Sequence, residues 1–133
     1  MKVILVSEMS ATRASFATSL GATATFDPLA DDVVASSLRW CDGLGVDVVF
    51  DCAGVQQSVD TAFSAVRVRG TIVNLAMWKS KPIVNVNLFL SKQMAWVGSS
   101  VYSQGDYQEV IDAIASGMFS YVYFTCSHAK VLF

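Results

Sequence analysis

Charge is the scarcest feature of this sequence. Only 15% of its 133 residues are Asp, Glu, Lys or Arg, against about 25% in an average soluble chain. The formal net charge is −2 and no run of basic residues occurs, which argues against a nucleic-acid partner held through phosphate contacts. Long apolar runs are missing as well. Stretches such as Val46–Phe50, which includes Asp47, fall far short of the roughly 18 residues a membrane-crossing helix needs. The opening Met1-Lys2-Val3-Ile4-Leu5-Val6 starts like a secretion signal, but its apolar run stops at Ser7-Glu8, short of a ~7–15-residue hydrophobic region. Histidine occurs once, at His128, so a Ser-His-Asp triad would have to be built around that one imidazole. The three cysteines, Cys41, Cys52 and Cys126, are odd in number and show no close pairing, which suits a reducing, cytoplasmic setting better than a disulfide framework. Cys126 and His128 form a lone Cys-x-His pair, a weak metal signal without further ligands.

What the sequence has in quantity is apolar material, at 53% of residues, enough for a core and too much for a disordered chain. It is arranged in alternation. Val3–Ser7 reads as a short buried strand, and Ser10 caps a helix over about Ala11–Leu20 that exits through Gly21. Thr23–Phe26 is a second strand. Asp31 and Asp32 open a helix carrying Val34, Leu38 and Cys41 on one face. Val46–Cys52 reads as the clearest buried strand; Val59, Ala62, Phe63 and Val66 mark a helix that Gly70 breaks, and Thr71–Ala76 is the next strand. A loop with Pro82 leads to a helical turn near Leu88–Ser91, then a strand at Met94–Val97 and a helix at Asp106–Ser116 stopped by Gly117. Such alternation of strand and helix means an α/β fold with a parallel sheet covered on both faces. The tail, 118–133, is aromatic-rich and has no clean period.

In doubly wound folds, ligands bind at the carboxyl ends of the strands, where an acid can accept both hydroxyls of an adenosine ribose. Glu8 occupies such a position after the first strand. A carboxylate there also repels a 2′-phosphate and so favours NAD over NADP. The plainer alternative is an exposed acid stabilised by the dipole of the helix that follows. Arg13 lies one turn into that helix, placed to meet the adenosine end of a nucleotide or simply to be solvated. Asp51-Cys52-Ala53-Gly54 and Leu75-Ala76-Met77 close two later strands. Gly54 permits close approach of a ligand to the backbone, or such small residues only let a helix pack tightly.

One absence weighs against a complete nucleotide site. Dinucleotide-binding folds carry Gly-x-Gly-x-x-Gly between a strand and a helix, where backbone amides and the helix dipole hold the pyrophosphate. Gly43-Leu44-Gly45 is the nearest cluster and follows a helix instead. The ribose acid belongs about 20 residues beyond that motif, and Glu8 stands too near the start for this. The absence of any Tyr-x-x-x-Lys pairing also argues against the short-chain reductases.

Val6–Arg13 (acid, short spacer, Arg), Leu20-Gly21-Ala22, Asp47–Gly54, Gly70–Trp78 and Val97-Gly98-Ser99 occur in the order and spacing of one family. Over about residues 1–117 the sequence resembles the zinc-type medium-chain dehydrogenase/reductase superfamily, in particular 2,3-butanediol and sorbitol dehydrogenases. The resemblance implies an NAD-binding domain in which Glu8 holds the adenosine ribose and Arg13 contacts the same end of NAD. It further implies that Gly54, Leu75, Ala76 and Met77 line the crevice, the last three beside the nicotinamide ribose, with Ser99 and Ser100 near the nicotinamide. The zinc, the proton relay and the catalytic residues belong to a catalytic domain not found in these residues, so no catalytic or metal-binding residue is expected here. Both ends look cut, and the expected molecule is a partial dehydrogenase, inactive alone. Two alternatives stay open: an interaction module that pairs with a full-length homologous dehydrogenase, and a methyltransferase-like nucleotide-binding domain.

The expected fold is therefore an incomplete doubly wound, Rossmann-like parallel sheet lacking its first strand. In the 3-2-1-4-5-6 order that strand is central. About five buried side chains at ~1.5–3 kcal/mol each would go with it, a sum comparable to a whole domain's stability of about 5–15 kcal/mol. The sheet must close across the gap, recruit another chain or remain loosely folded, and low stability of the isolated chain is expected.

Overall fold

Short β-branched runs alternate with helices, and strand polarity follows from the connections: each strand returns through a helix and so lies parallel to its neighbour. The computed structural model describes residues 3–118. They fall into two units, one ending at Ser99 and the other beginning at Ser100. The first contains β1 (Leu5–Ser7), α1 (Ala11–Ser19), β2 (Ala24–Phe26), α2 (Val33–Trp40), β3 (Val46–Asp51), α3 (Gln56–Ala65), β4 (Val66–Asn74), α4 (Asn87–Lys92) and β5 (Ala95–Gly98). The second contains α5 (Gln104–Ala115), whose Ser103 and Asp106 cap each other reciprocally, side chain to backbone N–H in both directions. The expectation for 118–133 falls, apart from the exposed Met118, outside the described residues, as do Cys126 and His128.

The α/β class and the parallel pairing are as expected. The strands, however, form two sheets: β1 pairs with β2, and β3-β4-β5 form a second ladder. Among the described residues no ladder joins β1 to β3, so the gap is not closed. Contact between the two halves includes α2 lying against α3, where the close-packed positions are Ser36 and Ser37. This corrects the expected apolar stripe of Val34, Leu38 and Cys41, which is only half-buried. Small side chains let helices approach, and the Ser37 hydroxyl is satisfied by the Val33 carbonyl at 2.7 Å.

The core belongs to the second sheet. Val59, Ala62, Phe63, Val66, Ile72 and Met94 are buried together, with Val49, Phe89 and Trp96 packed against them. Phe63 meets Phe89 and Trp96 edge-on at centroid distances of 5.3 and 5.6 Å, the favoured geometry for aromatic quadrupoles. The first sheet contributes only Val6 to the buried hydrophobics.

Two further expectations are corrected. Val66 is buried as expected but opens β4, which therefore starts before Gly70 instead of after it. Gly70 lies inside the strand because a β-carbon there would sit 3.0 Å from the Asp47 carbonyl and 2.5 Å from Val66 Cγ2; backbone approach, not helix termination, requires it. The β3 run is buried on one face only: Val49 faces the core, whereas Val48 and Phe50 are 45% and 48% exposed. A strand covered by helices on both sides would bury both.

Candidate functional site

Glu8 follows β1 and is held from two directions. Its own N–H donates to the Phe26 carbonyl at 2.9 Å, extending the β1–β2 ladder. Its carboxylate accepts from Arg13 Nε (2.8 Å), Arg13 Nη2 (2.6 Å) and the Ser10 N–H (2.7 Å). The residue is buried, so the reading of an exposed acid is excluded, and Arg13 is not merely solvated, although its side chain stays 47% exposed. The guanidinium hydrogen-bonded to it holds the Glu8 carboxyl below the usual carboxylate range; burial opposes this, and the Ser10 amide adds to it. Ser10 stands at the N-cap but makes no side-chain cap bond.

The ends of β3 and β4 form a second cluster. Leu75 and Ala76 donate their N–H groups to the Asp51 carbonyl at 2.9 and 3.2 Å. Gly54 adopts φ +62°, and a β-carbon there would lie 2.8 Å from Ala76 Cβ and 3.5 Å from the Met77 carbonyl. The structure thus brings Gly54, Ala76 and Met77 together, with Met77 95% exposed. The Ser99 N–H donates to the Asn74 carbonyl at 2.9 Å, which ties the end of β5 to the end of β4. Ser100 opens the second unit. No hydrogen bond or ion pair among the described residues links Glu8 or Arg13 to the Gly54–Ala76 rim.

Sequence reasoning missed Asp51 as more than a strand end. It is buried, and its Oδ1 accepts from the Ala53 and Gly54 N–H groups at 3.1 and 3.3 Å. That turn is what fixes Gly54 against Ala76. Its Oδ2 is buried without a hydrogen-bond partner. An Asp two or three residues before a glycine at a strand end was the available signal. Also missed was Asn74, which donates to the Ala76 carbonyl (3.0 Å) and accepts from Trp78 Nε1 (2.8 Å). It lies in the wall of an open cleft of about 530 Å³ with Trp78, Lys79, Lys81, Trp96 and Gly98. Among the described residues no group of three or more His, Cys, Asp or Glu could hold a metal ion, so these residues do not fit zinc. No helix among them is long and apolar enough to cross a membrane.

Parallel strands joined by helices, with an ion-paired acid at one strand end and a glycine-containing rim at two others, define an α/β domain of the Rossmann-like, nucleotide-binding class. A sequence model of the family described as zinc-binding dehydrogenase matches residues 1–116, and the chain belongs to that zinc-type medium-chain dehydrogenase family, to its cofactor-binding domain. A 2-dehydro-3-deoxy-L-galactonate 5-dehydrogenase from Pseudoalteromonas atlantica is 32% identical over 114 residues, 86% of this chain and 33% of that protein. The 2R,3R-butanediol dehydrogenase of Bacillus subtilis superposes with a TM-score of 0.80 at 28% identity, over 89% of this chain and 33% of the other. A candidate zinc-binding dehydrogenase from Sinorhizobium meliloti, solved with NADP, gives 0.82 at 29% identity, over 90% and 36%. The chain spans about a third of the length of these relatives.

Proposed function

We propose that residues 1–117 are the partial cofactor-binding domain of an NAD-dependent alcohol or polyol dehydrogenase acting on CH–OH groups, and that this chain alone has no turnover. The observation that carries the reading is the buried, ionised Glu8 at the end of β1. An ionised carboxylate offers about four acceptor positions, of which Arg13 and Ser10 take three. Full engagement of both ribose hydroxyls therefore requires Arg13 to turn outward, which its exposed side chain permits, and from there it can meet the adenosine. The negative charge disfavours a 2′-phosphate, so NAD is preferred to NADP. Gly54, Leu75, Ala76, Met77, Ser99 and Ser100 are assigned to the nicotinamide half. Hydride transfer needs cofactor and a polarised alcohol held together, and the residues here supply no zinc site and no glycine phosphate loop. A reducing, cytoplasmic location fits the odd count of three cysteines.

Titration of the labelled chain with NAD, NADP and S-adenosylmethionine, followed by amide shifts, tests this. NAD should bind more weakly than micromolar and shift Glu8, Gly54 and Ala76, with NADP weaker still. A preference for S-adenosylmethionine, or shifts that avoid those residues, would sink it. A second reading, pairing with a full-length dehydrogenase, is favoured by the separation of the two sheets; co-purification with such an enzyme tests it.

A further inference from the structure

Acid is absent from one long stretch of the chain. None of its 11 Asp and Glu residues falls between Asp60 and Asp106, whereas Arg67, Arg69, Lys79, Lys81 and Lys92 do. Three of these cations are engaged. Arg67 pairs with Asp47, Arg69 Nε donates to Gln93 Oε1 at 3.0 Å, and Lys92 donates to carbonyls at the end of α3. Earlier in the chain, Arg13 is bonded to Glu8 and Arg39 to Ser36. Among the described cationic residues only Lys79 and Lys81 have neither a hydrogen-bond nor an ion-pair partner for their side chains. Both stand in the wall of one cleft, of about 530 Å³. The loop that carries them is anchored at both ends. Asn74 clasps its start through the Ala76 carbonyl and Trp78 Nε1. Gln56 fixes its end, donating to the Ile83 carbonyl at 2.8 Å and accepting from the Ile83 N–H at 2.9 Å. Trp78 and Trp96, partly buried and packed against the core, supply the apolar part of the wall.

We propose that this cleft binds a small organic anion with a flat apolar body, of the aryl carboxylate class. Small-molecule sites are concave, of about 300–1,000 Å³, and pair apolar or aromatic walls with a few polar groups that set orientation; the cleft has that size and that lining. The ring of the ligand packs on the indoles, since aromatic faces and edges attract one another beyond the area they bury. Its carboxylate is met by Lys79 and Lys81, whose ammonium groups no acid of the wall neutralises. Lysine is a point charge with rotatable donors, so it selects the sign of the ligand's charge more than the geometry of its head group. The flat body comes from the tryptophans: a bare inorganic anion would meet the lysines and leave the indoles uncovered. Because the loop is already pinned by Asn74 and Gln56, binding costs little ordering of the backbone. The proposal uses neither Glu8 nor Arg13 and does not rest on the cofactor reading.

The test uses the nitrogen-labelled full chain, titrated at low salt with benzoate, its neutral analogue benzamide and inorganic phosphate. The chain has three tryptophans, so the indole N–H signals report the site directly. Benzoate should shift the signals of Trp78 and Trp96 saturably and leave that of Trp40, in α2, unmoved. Benzamide should bind about fivefold more weakly or worse, the scale of two exposed ion pairs, and added salt should weaken benzoate but not benzamide. The double variant Lys79→Gln, Lys81→Gln should bind benzoate no better than benzamide. Both lysines are exposed, so its urea midpoint should match that of the parent chain. No saturable shift at the two indoles overturns the proposal, as does an equal response to benzoate and benzamide or an unchanged affinity in the double variant. Phosphate binding as tight as that of benzoate also overturns it, in favour of a site for bare anions.

Discussion

Gly54 and Ala76 touch across the ends of β3 and β4 so closely that a β-carbon on Gly54 would lie 2.8 Å from Ala76 Cβ. Gly54 also sits at φ +62°, so Gly54→Ala should incur two penalties: roughly 1–2 kcal/mol for a left-handed L-residue and about 1–3 kcal/mol for overpacking. Gly43→Ala separates them, since Gly43 has φ +78° with nothing within 4 Å of the added carbon. Urea unfolding of both variants should show Gly54→Ala the more damaging. Equal losses would mean that the Ala76 contact relaxes without cost.

Lys92 reaches back from α4 to the carboxyl end of α3, where its Nζ donates to the carbonyls of Phe63 (2.6 Å), Ser64 (3.0 Å) and Val66 (2.8 Å). These are the carbonyls a helix end leaves unpaired, and a cation there also meets the helix dipole favourably. Lys92→Met keeps the stem and removes the donors. It should lower unfolding free energy by about 1–2 kcal/mol, read as a shift in the urea midpoint at unchanged slope.

The α/β class, the Glu8 position and the core residues Val59, Ala62 and Phe63 were legible because each depends on local pattern: a short apolar run, an acid before a helix, apolar spacing along one face. Other features were not, because they depend on partners distant in sequence. Gly70 looks like a helix breaker until the Asp47 carbonyl is known to pass beside it. Phe50 looks buried because apolar strands usually are, and its exposure follows from what does not lie over it. Asp51 reads as a strand end until its carboxylate is seen holding Ala53 and Gly54. In the candidate site, Arg13 could be placed near Glu8 by spacing, but that the two form an ion pair required coordinates.

The one-sided core predicts an asymmetry in mutational cost between adjacent rows of β3-β4-β5. Ile72 is fully buried, whereas Phe50, on the opposite face of the adjacent strand, is 48% exposed. Ile72→Ala should cost about 2–5 kcal/mol, and Phe50→Ala, although it removes more atoms, should cost less than about 1.5 kcal/mol because it leaves no enclosed cavity. Urea titrations of the two variants check this, and a Phe50 loss as large as that of Ile72 would mean the second face is covered in solution.

Glu8 sets the expected response to acid. Its folded-state pKa is lowered from 4.5, first by the Arg13 hydrogen bond and then, against burial, by the Ser10 amide. Below 4.5 the unfolded chain takes up the proton before the folded one does, so stability rises with pH in that window. The contribution of Glu8 is complete above about 4.5 and is lost as the pH falls through the lower, folded value. Glu8→Gln removes the titration, and the slope of unfolding free energy against pH between 4.5 and the folded value should fall by up to about one proton. Arg13→Leu should move the Glu8 transition up toward 4.5, because it takes away the largest cause of the shift and leaves burial opposing the charge. Urea unfolding at a series of acid pH values measures both effects. An unchanged slope in Glu8→Gln would mean that the carboxylate is equally well satisfied in the unfolded chain, and that its burial beside Arg13 does not hold the end of β1 in place.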